Sequence, residues 1–169
     1  MGDYRFMTGD APLLMSIPHV GTAIPAEIEA RMTDRGLARP DTDWHLDRLY
    51  DFAAELGIPV LQAVWSRYVV DLNRPPDDTP LYPGQVSTGL VPKLDFDGAP
   101  LYRDGEAPDD AEVEERAHRY WLPYHQRLER ELASISKRHG RAILFDCHSI
   151  VSRVPRLFES VFAGDEDKI

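Results

Sequence analysis

LLMSIPHVG (residues 13–21) and AILFDCHS (residues 142–149) decide how this chain is read. Each is a short apolar run followed at once by turn-forming residues, and such a run reads as a buried β-strand. Each also delivers a histidine, His19 or His148, to the position just past the strand's carboxyl end. Open α/β sheets bind their ligands there. Two imidazoles at strand ends, with carboxylates nearby, are the donor set of a hydrolytic metal site. Asp146 lies two positions before His148, on the same side of an extended segment, where it can orient the imidazole or bind metal itself.

Outward from these runs, the chain alternates strand and helix patterns. EIEARM with Pro25 ahead of it predicts a helix over about 25–35. Asp41 or Thr42 is placed to cap a second helix carrying Trp44, Leu46, Leu49, Phe52 and Leu56, closed by Gly57. IPVLQAVW (58–65) and RYVVDLN (67–73) read as two strands, rich in β-branched and aromatic residues. Residues 74–108 lose all periodicity and read as a long functional loop or lid. Helical spacing returns over 109–138, with Pro123 expected to kink or split it, and RAILFD (141–146) is the last strand. The order β-α-β-β-loop-α-β predicts an α/β fold: one domain over 1–169, a mixed sheet flanked by helices.

The 169 residues carry 19 Lys plus Arg against 29 Asp plus Glu, a net charge of −10, which disfavours nucleic acid and anionic membranes as partners. No apolar stretch approaches the roughly 20 residues that span a bilayer. A single cysteine, Cys147, allows no internal disulfide and suits a reducing cytoplasm.

The DTDWHLDRLYD segment (41–51) offers Asp43 and Asp47 as a third metal ligand, four apart and so on one face if helical. In SRYVVDLNR (66–74), the guanidinium forks of Arg67 and Arg74 suit an acidic small-molecule substrate, with Asp71 positioning an arginine or Asn73. His118 and His125, two helical turns apart, lack a partner of recognisable spacing, and His45 and His139 read as solvent-facing. No Walker loop, GxGxxG or GxSxG element is present.

SIPHVGTAIP, DTDWHLDRLYDFA, SRYVVDLNRP, LYPGQVSTGL, YHQRLEREL and DCHS followed by PRLFE occur in that order from about residue 12 to 159. Together they closely resemble the N-formylglutamate amidohydrolase family. The resemblance implies a zinc-peptidase-like three-layer sandwich and the hydrolysis of N-formyl-L-glutamate to formate and L-glutamate in histidine degradation. It implies Zn2+, or another divalent ion, held by His19, Asp43 and His148, with Asp43 preferred over Asp47. Arg67, Asn73 and Arg74 resemble the family's substrate-carboxylate pocket, and Asp146 and Asp47 are the carboxylates expected to move the proton. After PRLFE the chain reads SVFAGDEDKI and ends (tail 160–169), whereas family members continue, so a C-terminally shortened relative with an open sheet edge and a tendency to self-associate is expected. Two other outcomes are a catalytically impaired metal- or metabolite-binding relative and a hydrolase of another N-acyl acidic amino acid.

Overall fold

The computed structural model describes residues 2–77, 79, 88–150 and 152. Four strands, β1 (Tyr4–Met7), β2 (Leu13–Ile17), β3 (Val60–Ala63) and β4 (Ile143–Asp146), form one sheet in the order β1-β3-β2-β4. β3, β2 and β4 run parallel, and β1 lies antiparallel outside β3. The run 13–17 takes an interior place, with Leu14, Met15 and Ile17 all buried. Strand alternation feeds two cores. Met15, Ile17 and Val60 meet Leu46, Ala53 and Ile58. Leu61 and Ala63 meet Tyr68, Val70, Tyr120 and Tyr124. The result is the expected mixed α/β arrangement.

The helices are α1 (Ala26–Glu29), α2 (Asp34–Ala38), α3 (Leu46–Leu49), a 3-10 turn (Asp51–Ala53), α4 (Asp110–Arg116), a π-helical turn (Ala117–Trp121) and α5 (Leu122–His139). α5 closes where Gly140 adopts the left-handed conformation, φ 72°, after the basic run Lys137–His139. Among the described residues no helix is long and apolar enough to cross a membrane.

Several elements differ from expectation, each for a local reason. β1 was not anticipated: its four residues owe their conformation to pairing with β3, from Tyr4↔Ala63 to Met7↔Val60. The expected helix over 41–56 shrinks to α3 and the 3-10 turn, because the Asp43 N–H is taken by the His19 carbonyl at 3.0 Å and residues 41–45 fold as turns. Residues 67–72 are buried, but 67–73 forms no strand; its apolar composition reports burial rather than ladder pairing. The long helical region breaks at the π turn, and Pro123 falls in the first turn of α5, where a missing N–H costs nothing. The expected 25–35 helix is two helices, with Thr33 capping the second through the Gly36 N–H. Among its described residues the 74–108 loop has no helix or strand, only isolated bridges such as Leu94↔Pro100. Residues 78, 80–87 and 153–169, including PRLFE and the tail, lie outside the described residues.

Among the described residues β4 forms the sheet's edge beyond β2, and Ile143, Leu144 and Phe145 are 52%, 43% and 45% exposed.

Candidate active site

β2 and β4 are parallel neighbours, so the loops leaving them emerge side by side. His19 follows the end of β2 and His148 the end of β4, and their ring centroids lie 5.0 Å apart. At Gly21 the backbone passes so close to Trp65 that any Cβ would collide with its carbonyl, which keeps the His19 loop folded against the sheet. The backbone bond from Asp43 to His19 draws the 41–45 turns over these rings. Asp43 Oδ2 thereby comes within 3.4 Å of His148 Nδ1 and 3.8 Å of His19 Nδ1. The Ser149 N–H donates to the same oxygen at 3.2 Å.

Each histidine is oriented from behind. His19 Nε2 donates to Asp71 Oδ1 at 2.7 Å, and His148 Nε2 donates to Asp146 Oδ2 at 2.7 Å. With both Nε2–H groups engaged, both Nδ1 atoms face Asp43. The three donor atoms all lie within 4.8 Å of one another. Tetrahedral bonds of about 2 Å would place ligand atoms roughly 3.4 Å apart, so this cluster fits a divalent cation with little movement.

The electrostatics agree. Burial lowers the His19 pKa despite Asp71 and Asp43, so that ring is neutral at pH 7. Burial alone would raise the Asp71 carboxyl, but Arg67 and His19 overcome it and hold it well below the ordinary carboxylate range. His148 is pushed up to about 9 by its hydrogen bonds to Asp146 and Asp43. In the metal-free protein a proton therefore occupies the position a cation would take.

Residues 11–168 match the family model for N-formylglutamate amidohydrolase. The chain belongs to that family. It is 50% identical over 154 residues to an N-formylglutamate deformylase of Pseudomonas aeruginosa, and 45% identical to one of Pseudomonas putida. These alignments cover 91% of this chain but 58% and 57% of those relatives. The chain thus spans little more than half the length of the curated relatives it matches. A crystal structure of N-formylglutamate amidohydrolase from Ralstonia eutropha superposes with a TM-score of 0.75 at 27% identity, covering 87% of this chain and 57% of that one. A gene product of Agrobacterium tumefaciens shares the fold at 19% identity, TM-score 0.64, over 98% of this chain and 69% of its own.

Within this family framework, the fold gathers His19, Asp43, His148 and Asp146 and disperses other residues singled out from the sequence. Asp146 is committed to His148, an orienting position rather than a free base. Asp47 is exposed on α3 and lines a separate cleft with Arg5, Thr22 and Trp44. The shared-face argument fails because 41–45 is not helical. Arg67 is buried and spent internally: it pairs with Asp71 Oδ2 at 2.5 Å and lies over the Phe96 ring at 4.6 Å. Its Nη2 is taken by that pair, and its Nη1 lies 3.4 Å from the Asp41 carbonyl. Asn73 is exposed, with its amide nitrogen 3.4 Å from His148 Nε2. Arg74 has a buried Nε with no hydrogen-bond partner among the described residues. What the sequence did not reveal is the Asp71–His19 contact, which spans 52 positions.

Proposed function

We propose that this chain carries the metal-binding and acid-binding part of a hydrolase that cleaves N-formyl-L-glutamate to formate and L-glutamate, a reaction of histidine breakdown. The observation that carries the reading is the convergence of two carboxylate-oriented imidazoles on Asp43. Family membership supplies the substrate. His19 Nδ1, His148 Nδ1 and Asp43 Oδ2 would hold zinc or another divalent ion. A bound ion of this kind supplies Lewis-acid chemistry, polarising an amide carbonyl and easing attack by water at neutral pH.

The chain's own residues do the rest. Asp71 and Asp146 keep the Nε2 protons in place, so both rings present Nδ1 without reorganisation. Arg67 neutralises Asp71, which lets that carboxylate stay charged in a buried position. Arg74 offers a guanidinium fork to a carboxylate of the substrate, and Asn73 lies beside His148 to receive its polar edge. Holding the glutamyl part there would orient the acyl group toward the cluster.

The test is zinc content and formate release by the purified full chain. Stoichiometric zinc with formate release from N-formyl-L-glutamate is expected. Turnover of another N-acyl acidic amino acid in preference would relocate the specificity. Zinc without any turnover would leave a metal- and acid-binding relative. Absence of zinc binding would overturn both.

A further inference from the structure

The segment 66–74 carries Arg67, Asp71, Asn73 and Arg74; among the described residues it joins no strand ladder, and its backbone bonds outward are single ones, such as Ser66 N–H to the Ala23 carbonyl and Asp71 N–H to the Leu90 carbonyl. Three of its carbonyls, those of Val69, Leu72 and Arg74, accept from side chains of one helical region. Arg116 Nη1 donates to the Val69 carbonyl at 3.4 Å. His125 Nε2 donates to the Leu72 carbonyl at 2.9 Å. Trp121 Nε1 donates to the Arg74 carbonyl at 2.9 Å. The two rings are stacked, centroids 3.7 Å apart and 19° between planes. From below, Asp71 accepts the Asn73 N–H at 2.9 Å through Oδ1, and its carbonyl accepts the Arg74 N–H at 3.1 Å. The Asn73–Arg74 pair is therefore gripped on both sides, at the carbonyls before and after Asn73 and at its own N–H.

The π turn makes this grip possible. In a regular α-helix, residues three or four apart share a face, and residues five apart do not. The i→i+5 bond from the Leu122 N–H to the Ala117 carbonyl widens one turn by a residue. That brings Trp121 over Arg116, and ordinary i, i+4 spacing then adds His125. Three donors reach one strip of backbone. Core packing accounts for the burial of this face, but not for three N–H groups each directed at a carbonyl of the same segment.

We propose that Trp121 and His125 are positioning residues for acid recognition: they fix the backbone on which Asn73 and Arg74 are mounted, and so set the distance between the substrate's carboxylate and the His19–Asp43–His148 cluster. This rests on the function proposed above, and neither residue touches the cluster itself.

The experiment compares Trp121→Phe, His125→Ala and His125→Gln with the parent full chain, each loaded with zinc. Calorimetric titration with L-glutamate and the KM for N-formyl-L-glutamate give acid affinity, and chelator competition gives zinc affinity. Loss of one directed hydrogen bond should weaken acid binding by about tenfold in Trp121→Phe and His125→Ala. His125→Gln, which keeps an N–H donor, should recover most of that loss, with zinc affinity within about twofold of the parent throughout. Unchanged acid binding, or zinc affinity falling in step with it, would overturn the proposal. A parent that binds neither acid would refute the function rather than the clamp. The clamp is then judged by hydrogen exchange: faster exchange of the Asn73 and Arg74 amides in Trp121→Phe and His125→Ala supports it, and unchanged exchange overturns it.

Discussion

Replacing Asp71 with asparagine tests whether one buried carboxylate serves both the fold and the cluster. Asp71 is fully buried and accepts from His19, Arg67 and the Asn73 N–H. An asparagine can turn its oxygen to His19, but its amide hydrogens then face the Arg67 guanidinium, donor against donor. Removing one partner of a buried ion pair costs about 3–5 kcal/mol, since the other charge is left without compensation. For a domain of this size that lowers Tm by roughly 6–20 °C. Weakening the carboxylate behind a ligand histidine should cost about 10–100-fold in zinc affinity. The two effects separate in the double variant Asp71→Asn/Arg67→Met. Stability should recover by about 1 kcal/mol or more, because no charge is left stranded, while zinc affinity should not. Thermal melts of the metal-free proteins and chelator competition read both quantities. If Asp71→Asn melts within about 2 °C of the parent and binds zinc equally well, Asp71 is neither the counterion nor the orienting group described above.

Three further outcomes follow from the same geometry. Arg74→Ala should weaken binding of N-formyl-L-glutamate by about tenfold or more while leaving zinc affinity within twofold; unchanged acid binding would remove Arg74 from the site. Because His148 titrates near 9, zinc and a proton compete there, and apparent zinc affinity should fall about tenfold per pH unit below that point. An affinity that is flat between pH 7 and 9 contradicts this. The stability of the metal-free protein should be greatest near neutrality. His19 has a folded pKa below its unfolded 6.5, so the unfolded chain binds more protons, and stability present above pH 6.5 is lost as pH falls below it. His148 has a raised folded pKa, so its contribution is full below 6.5 and disappears as pH rises through about 9. Denaturant titrations showing a steady rise from pH 5 to 9 would reverse one of these signs.

The strand-end histidines were legible because two independent signals coincide at each: an apolar run long enough for a buried strand, and turn residues right after it. The family motifs extended this to nearly the whole chain. Other features lay beyond local pattern. β1 is held by cross-strand pairing that no four-residue stretch advertises. Residues 67–73 look like a strand because burial and β-pairing select similar side chains, and only their tertiary partners tell the two apart. Asp43 and Asp47 could not be ranked by helical spacing, since the bond from the Asp43 N–H to His19 prevents a helix there. Arg67 looks like a substrate ligand in sequence and becomes a counterion once Asp71 is buried beside it. The donors Trp121 and His125 acquire their common target through a π turn, an irregularity that hydrophobic periodicity does not register.

The proposed chemistry depends on His19, His148 and Asp43 sharing one cation. Anomalous diffraction at the zinc edge, from crystals of the zinc-loaded chain, tests it most directly. A single strong peak is predicted, about 2.0–2.2 Å from His19 Nδ1, His148 Nδ1 and an Asp43 oxygen, with both Nε2 atoms still on their carboxylates. A peak elsewhere, or one bound through Nε2 of either ring, would rule out this ligand set.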